Sequence, residues 1–311
     1  MSDRQLLWIK KEVTYGLDPV AAAVDTVMAE GVTFTPSAER KKPSFAKPGV
    51  GPAPTASTVG VYGTLVFKTP LAAPLTKGVA ALWGKLAKAC GWTETLVPTT
   101  SATYALAADP SAADSVTITY REGRRLHKLT GSRGRMGVEI AENDRPMLTF
   151  TFKGLKTVVA DGAIIAHADA TWTGWKDTKA AAQGRTTFTV GAATPPLYSL
   201  SIEQSDNVNF ADRPNQKVVD LVGLREFTGK LKCGMLLPSV LNWEALAEAD
   251  TVSTMSVVHG TVSGEIVTIS LRAGNEEPSY GDDNGRDTAD VSLSLMPSAM
   301  NTDDDIAIVC T

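Results

Sequence analysis

A basic, glycine-rich stretch, Tyr120–Ile140, has the composition that most suggests chemistry. It reads YREGRRLHKLTGSRGRMGVEI and holds six arginines and lysines, with glycines at intervals of three at Gly131, Gly134 and Gly137. A phosphate-binding glycine loop needs a strand before it and a helix after it, because the free N–H groups of the helix hold the anion. The residues after Gly134 alternate like a strand. We therefore expect a strand, a glycine-assisted turn and a second strand, with the glycines allowing positive φ angles and close packing.

Nucleic-acid binding is the stronger alternative for this stretch. Its cationic residues are Arg121, Arg124, Arg125, Lys128, Arg133 and Arg135. Strand alternation spreads them over two faces, few aromatic residues accompany them for base stacking, and the whole chain has a formal charge of −4. We expect the arginines to serve contacts between copies of the chain, or a solvated face, rather than base recognition.

The histidines and one acidic segment offer little for catalysis or metal binding. His127, His167 and His259 are single and separated, and none belongs to a recognisable nucleophile motif. Asp282–Asp287 (DDNGRD) begins like a calcium loop but lacks the distal glutamate, so an Asn-Gly hairpin turn explains it better. We assign no catalytic, cofactor-binding or metal-ligating residue, and we do not expect an enzyme.

The three cysteines, Cys90, Cys233 and Cys310, are far apart and odd in number, which argues against a disulfide framework or a zinc site. No apolar run approaches the ~18 residues needed to span a bilayer. The N-terminal MSDRQLLWIKKEV lacks the features of a signal peptide. These features together predict synthesis in a cytoplasm and no membrane partner.

The charge differs between the two halves of the chain. Residues 1–150 carry 18 Lys and Arg against 13 Asp and Glu, whereas residues 151–311 carry 12 against 21. Halves of opposite sign could meet between copies of the chain, with charge complementarity setting the register. Chance variation between two solvated surfaces is the simpler explanation.

Alternation of apolar and polar residues predicts most of the structure to be strands with one solvent-facing side. The clearest examples are Val116–Tyr120, Met136–Ile140, Leu148–Phe152, Tyr198–Ile202, Val267–Leu271 and Val291–Leu295. A last strand is predicted at Ile306–Cys310. The predicted fold class is mainly β with flanking helices (α+β).

Two helices interrupt the strands. The first is predicted within Lys77–Gly91, with Gly91 as its left-handed stop and an apolar stripe at helical spacing; that stripe consists of Val79, Leu82, Trp83, Leu86 and Cys90. The second begins near Leu241, with Asn242 as a plausible N-cap.

The order strand, strand, helix, strands occurs twice, about 140 residues apart. We interpret this as an internal duplication of a β-sandwich or barrel with one helix per unit. The units are predicted at residues 1–160 and 196–311, with a linker at 161–195 that Trp172 and Trp175 could anchor. The loop Glu39–Thr58, rich in proline and lysine, is expected to form no regular element.

Several motifs follow one another along almost the whole chain. The N-terminal segment KKEVTYGLDPVAAAVDTVMAEGVTFTP carries Glu12, Thr14, Tyr15, Gly16, Asp18 and Pro19. The others are Leu86–Gly91, His127–Gly134, Pro146–Gly154, Val258–Gly260 and Gly264–Ile269. In order and spacing they resemble the major tail tube proteins of bacteriophages. The basic loop Glu39–Thr58 departs from that pattern.

The resemblance implies a structural virion protein, located in the phage tail and made in the host bacterial cytoplasm. It implies two tandem tail-tube-like units with arms and loops, and rings that stack helically into a conduit for genome ejection. Three duplicated chains would supply six units, giving a pseudo-hexameric ring. The implied partners are other copies, the tape measure protein, the tail terminator and tail-tip proteins, a sheath protein, and double-stranded DNA in transient passage. We also hypothesise that acidic residues of the second half line the lumen, since they would repel phosphates.

Other function classes stay open. One is a tube protein of a non-viral injection or secretion system, which as a rule has a single unit per chain. Another is a β-sandwich binding module, which would cluster exposed aromatic residues on one face. A hydrolase with a site assembled from distant residues is a third alternative, although no motif recommends it.

Overall fold

The computed structural model describes residues 4–43, 49, 51, 56–176, 178–249 and 251–311. The predicted fold class is confirmed, since strands dominate and the α-helices of the described residues are short. The first part of the chain forms β1 (Gln5–Lys11), β2 (Glu30–Lys41), β3 (Ser57–Pro70), α1 (Gly84–Ala89), β4 (Trp92–Val97), β5 (Ser101–Leu106), β6 (Val116–Glu122), β7 (Arg125–Ala141), β8 (Met147–Lys156) and β9 (Ala160–Asp161).

The second part forms β10 (Thr186–Val190), β11 (Leu197–Gln204), β12 (Val208–Arg213), β13 (Gln216–Leu221), β14 (Phe227–Gly234), α2 (Trp243–Glu248), β15 (Ser253–His259), β16 (Val267–Asn275), β17 (Ser279–Asp282), β18 (Asp287–Leu295) and β19 (Ile306–Cys310). Short 3-10 turns lie at Ala23–Asp25, Pro110–Ala112 and His167–Asp169.

One run of antiparallel strands crosses both parts of the chain. Its order is β2, β3, β8, β7, β11, β14, β18, β17. We call this run the long sheet. Strand β6 pairs with the start of β7, and β1 pairs with β6. Strands β10, β15, β16, β19, β5 and β4 pair with one another in that order. The β12–β13 hairpin forms a separate two-stranded sheet.

The apolar side chains of the larger sheets and the helices share one hydrophobic core, and the β12–β13 hairpin has a second, smaller one around Val208, Val219 and Leu221. In the long sheet, Phe67 stacks on Phe150 and Phe152 at centroid distances of 5.5 and 6.0 Å. Beside them Trp83 packs on Tyr104, with ring centroids 4.3 Å apart. Because neighbouring strands place these rings on the same face, the alternation predicted for β7 and β8 produces a continuous apolar layer.

The first predicted helix is shorter than its apolar stripe suggests. Helix α1 begins only at Gly84, and Val79 and Leu82 are 49% and 39% exposed. The preceding turns are fixed by tertiary hydrogen bonds, since the Ala81 N–H donates to the Tyr104 hydroxyl at 2.8 Å. The predicted stop is confirmed, because Gly91 has a φ of +80°. The N-cap of α2 is also confirmed, with the Asn242 side chain accepting the Ala245 N–H at 3.1 Å.

The basic stretch contains its turn in a different place from the one predicted. The hairpin turn lies at Gly123, whose φ is +58°, and β7 then runs unbroken from Arg125 to Ala141. Gly131 (φ +57°) lies instead at a β-bulge, where the pairing of β7 with both neighbours shifts. A Cβ at Gly134 would lie 2.7 Å from Phe152, so close packing explains this glycine. No helix follows these glycines, in agreement with the argument against a phosphate loop.

Both predicted loops are parts of hairpins. The ends of the Glu39–Thr58 loop are strand residues, with Lys41 opposite Ser57 in the β2–β3 pair, so the prediction of no regular element is wrong there. Most of its middle lies outside the described residues. The Asn-Gly turn is confirmed: Asn284 and Gly285 have φ angles of 55° and 78° between β17 and β18.

Candidate assembly interface

Two strands from different halves of the chain join edge to edge. In this joint, which we call the internal joint, the end of β7 pairs with β11. The opposed pairs are Val138 with Ile202, Glu139 with Ser201, Ile140 with Leu200 and Ala141 with Ser199. The apolar side chains of Val138, Ile202, Ile140 and Leu200 are buried. At the same place a Cβ on Gly137 would lie 2.8 Å from the Ile202 carbonyl oxygen, so the absence of a side chain at Gly137 lets the two strands approach closely.

The strand pairs of the first half recur in the second half in the same chain order. The pairs β1–β6, β2–β3 and β3–β8 correspond to β10–β15, β11–β14 and β14–β18. The pairs β6–β7 and β7–β9 correspond to β15–β16 and β16–β19. The single pair β7–β8 corresponds to two pairs in the second half, β16–β18 and β17–β18. Each half also has its helix after the same strand, α1 after β3 and α2 after β14.

This correspondence makes β16 and β17 together the counterpart of β7, and β11 the counterpart of β2. Strand β10 lies inside the predicted linker 161–195, yet it pairs with β15 of the second half. The β4–β5 hairpin and the β12–β13 hairpin have no counterpart among the described strands. They are therefore additions to a shared pattern.

The long sheet has two open edges within the described part of the chain. Strand β2 pairs with β3 alone, and β17 pairs with β18 alone. Val32 and Phe34 in β2 are partly buried, and every residue of β17 is exposed. Tyr280 in β17 is 49% exposed, with its hydroxyl bonded to Glu244 of α2 at 2.8 Å. An open edge presents unpaired N–H and C=O groups that another strand can pair with.

The side of the long sheet that faces away from the main core is polar, except where the β12–β13 hairpin covers it with a small apolar cluster. Over the inner strands β3, β8, β7, β11, β14 and β18 it carries serines and threonines with basic residues at Lys68, Arg133, Arg135, Lys153, Lys230 and Lys232 and acidic residues at Glu139, Glu203 and Asp290. We call this side the polar face.

Most of the basic residues on the polar face have an acceptor within the chain. Lys68 pairs with Glu139, and Arg133 pairs with Asp220 at 2.6 Å. Lys153 contacts Asp206 at 2.9 Å, Arg135 donates to the Gln204 carbonyl at 3.0 Å, and Lys232 lies 3.5 Å from Asp283. The face is therefore mixed in charge rather than acidic.

The N-terminal motif is held by a buried carboxylate. Glu12 is 4% exposed and accepts the backbone N–H of Gly16 at 2.8 Å and of Gly131 at 2.7 Å. It also accepts the hydroxyls of Ser115 and Thr117 at 2.7 and 2.6 Å. The Glu12 carboxylate thus ties the segment after β1 to β6 and to the bulge in β7.

Tyr15, three residues beyond this carboxylate in the same motif, connects the first half to the β12–β13 hairpin. Its hydroxyl accepts the Val219 N–H at 2.6 Å, and the Arg133 guanidinium lies 5.4 Å from its ring centroid. Burial raises the pKa of Tyr15, which keeps its hydroxyl neutral at physiological pH. The motif residues Glu12, Tyr15 and Gly16 therefore have structural contacts that the sequence alone did not assign.

The remaining basic residues of the Tyr120–Ile140 stretch also find partners inside the chain or face solvent. Arg121 is buried; it bonds Asp169 at 2.8 Å and the Ala163 carbonyl at 2.7 Å. Lys128 pairs with Asp18, and Arg124 and Arg125 are exposed. Nothing in the described ranges brings these residues together into a groove for nucleic acid.

The histidines and cysteines lie apart from one another. His127 packs against Phe34 with ring centroids 4.6 Å apart, His259 hydrogen-bonds Thr186 at 2.8 Å, and His167 lies in a 3-10 turn. Burial raises the pKa of Cys233 to about 11 and that of Cys310 to about 12, and it raises the pKa of Cys90 well above its usual value. All three thiols are free and buried.

Neither a metal site nor a membrane-spanning helix is found in the described ranges. No group of three or more His, Cys, Asp or Glu there is arranged to hold a metal ion. No helix among the described residues is long and apolar enough to cross a bilayer. Of the predicted linker anchors, Trp175 donates to the Thr26 carbonyl at 2.9 Å, whereas Trp172 is half-exposed.

The comparisons with known proteins leave the chain without a family assignment. No family model matches it. A search of curated proteins likewise finds no match. The geometry of the sheet edges is therefore the main guide to function.

Proposed function

We propose that the chain is the structural subunit of a phage tail tube, in which copies form rings that stack into a conduit for the genome. The observation that carries the proposal is the internal joint. Within one chain, two units with the same strand pairing are already joined edge to edge, and an open edge is left at each end of the long sheet in the described residues. A contact that repeats head to tail closes into a ring when its rotation permits.

The internal joint supplies one of the contacts that such a ring needs. Three copies, each with two units and one internal joint, would give six units joined at six places, three within chains and three between them. Each joint hides edges that otherwise invite uncontrolled aggregation. The order of motifs along the sequence that resembles tail tube proteins supports the same function, and with it a location in the virion tail.

The part of the polar face that the β12–β13 hairpin leaves uncovered is the candidate lining of the channel, because the opposite side of the long sheet packs on the core. The hypothesis of an acidic lining gets no support from this face, where six basic residues outnumber three acidic ones. Its basic residues are mostly engaged by acceptors, such as Glu139 for Lys68 and Asp220 for Arg133. Engaged cations compete poorly for phosphates, so DNA could pass without being held.

The structure supports the alternative functions less well. A carbohydrate-binding module would present clustered exposed aromatic residues, but Trp83, Trp92 and Trp243 are buried. A non-viral injection tube is also built from stacked rings, but its subunits as a rule have one unit per chain. The repeated strand pairing in this chain favours a tail tube protein with two units per chain.

Negative-stain electron microscopy of the purified protein at rising concentration tests the proposal. Hollow rings or tubes with a central channel are the expected result. Particles that stay monomeric at every concentration, and also in the presence of tail-tip proteins, would contradict it.

A further inference from the structure

The internal joint predicts where and how two copies meet. Strand β17 corresponds to the end of β7, and β2 corresponds to β11, so the partners of the internal joint recur as the two open edges. We infer that β17 of one copy pairs antiparallel with β2 of a second copy. This inference rests on the proposed ring assembly and adds to it the strands, the register and the residues of the joint.

The register follows from shared neighbours in the two halves. Val138 lies opposite Leu148 in the β7–β8 pair, and Tyr280 lies opposite Ala289 in the β17–β18 pair. Leu148 and Ala289 are both buried, and each lies five residues after the asparagine of its hairpin turn, Asn143 or Asn284. The turns themselves correspond, since Asn143 and Asn284 both have positive φ angles, 59° and 55°. Tyr280 is therefore the counterpart of Val138.

The same reasoning along the other strands makes Phe34 the counterpart of Ile202. Thr69 opposite Leu148 corresponds to Cys233 opposite Ala289, so Leu65 and Gly229, each four residues earlier, are counterparts as well. Phe34 lies opposite Leu65 in the β2–β3 pair, and Ile202 lies opposite Gly229 in the β11–β14 pair. Because Val138 pairs with Ile202 in the internal joint, the inferred joint places Tyr280 opposite Phe34. The next pair on the polar side is Gly281 with Thr33.

The side chains at these edges fit such a pair. Phe34 is only partly buried in a single copy, whereas its counterpart Ile202 is 1% exposed where β7 covers it. Tyr280 is 49% exposed on the side of the sheet that carries α2. Bringing the two rings together across the joint would bury both and add an aromatic cross-strand pair, which is a favourable contact between antiparallel strands.

Disulfide trapping tests the register directly. Opposed residues of an antiparallel pair have Cβ atoms about 4.5–5.5 Å apart, close enough for a disulfide after a small adjustment. The variants are Thr33→Cys and Gly281→Cys, at the two open edges of a single copy. The natural cysteines are buried, so the unmodified protein gives the background.

Rings are oxidised and run on a denaturing gel without reductant. The double variant Thr33→Cys/Gly281→Cys is expected to give covalent dimers and trimers. Each single variant alone should stay monomeric, while a mixture of the two should give dimers, because the joint is head to tail. A control pair, Ser37→Cys with Gly281→Cys, lies four residues out of register, about 13 Å along the strand, and should give little product. If the first pair disturbs folding, Phe34→Cys with Tyr280→Cys tests the neighbouring position.

The outcomes separate this inference from the proposed function. Rings that form but give no crosslink with either pair, or crosslink equally in the control, overturn the joint and leave the tube intact. Crosslinked dimers without rings support the joint and contradict the tube. An absence of both rings and crosslinks overturns both proposals.

Discussion

Val138 in β7 lies directly opposite Ile202 in β11, and this pair joins the two halves of the chain into one sheet. Both side chains are 1% exposed, so the joint is part of the core rather than a loose contact between domains. A ring assembled from such joints would have a buried, core-like contact at every place where units meet.

Replacing Gly137 should weaken the internal joint. In Gly137→Ala the added Cβ would lie 2.8 Å from the Ile202 carbonyl oxygen, so the strands must move apart. We expect the free energy of unfolding to fall by about 1–3 kcal/mol, the usual range for overpacking. Urea denaturation measures this change.

The matched control for that variant is Gly162→Ala, where the nearest atom to the new Cβ, on Arg124, is 3.5 Å away. Its stability should stay close to that of the unmodified protein. Equal loss in both variants would mean that the close approach at Gly137 is unimportant.

Removing the charge of Glu12 should destabilise the N-terminal segment. The amide that Glu12→Gln introduces keeps only one acceptor oxygen for the four donors that now surround the carboxylate. We expect a loss of about 2–3 kcal/mol, as for buried hydrogen bonds to a charged group. Chemical denaturation of this variant, compared with Glu122→Gln at an exposed site of β6, measures it. If the two variants were equally stable, the network would have no energetic role.

The thiols should be unreactive in the folded protein, and their ionisation should lower the stability of the protein at alkaline pH. The pKa of Cys233 and of Cys310 is raised to about 11 and 12, so the folded state favours the neutral thiols. This contribution is fully present below the ordinary thiol pKa and is lost as the pH rises from about 9 towards 12.

An Ellman assay at pH 8 checks the accessibility of these thiols. Almost no thiol should react in the native protein, and all three cysteines should react in denaturant. Rapid reaction of a native thiol would contradict the burial of all three cysteines.

The polar face should bind DNA weakly. Because five of its six basic residues have an acceptor in the chain, we expect affinity for a duplex in the range of non-specific binding, weaker than about 1 μM at physiological salt. The double variant Glu139→Gln/Asp220→Asn releases Lys68 and Arg133, and should bind more tightly with a steeper salt dependence. Fluorescence anisotropy measures both; tight binding by the unmodified protein would argue against a passive channel.

Alternation in the sequence predicted individual strands well. Met136–Ile140 and Leu148–Phe152 alternate between buried and partly exposed positions as predicted, and the last strand has the predicted bounds. The prediction of a solvent-facing side was wrong for β6, where Thr117 and Thr119 are buried as well. Thr117 is buried because its hydroxyl donates to Glu12, over a hundred residues away in the chain.

The candidate interface could not be predicted from periodicity, because it depends on which strands become neighbours. Pairing of β7 with β11 links residues about sixty positions apart, and local pattern carries no information on that distance. Strand β17 has no alternation of burial to reveal it. The Asn-Gly turn beside it was predictable, since the positive φ angles that it requires are a local property.

The number of chains in one ring decides whether each chain supplies two tube units. Native mass spectrometry of isolated rings, with symmetry measured on averaged end-on views, gives that number. We predict three chains per ring, with true three-fold symmetry and six similar units around a channel. Rings of six whole chains would contradict the account of each chain as two joined tube units.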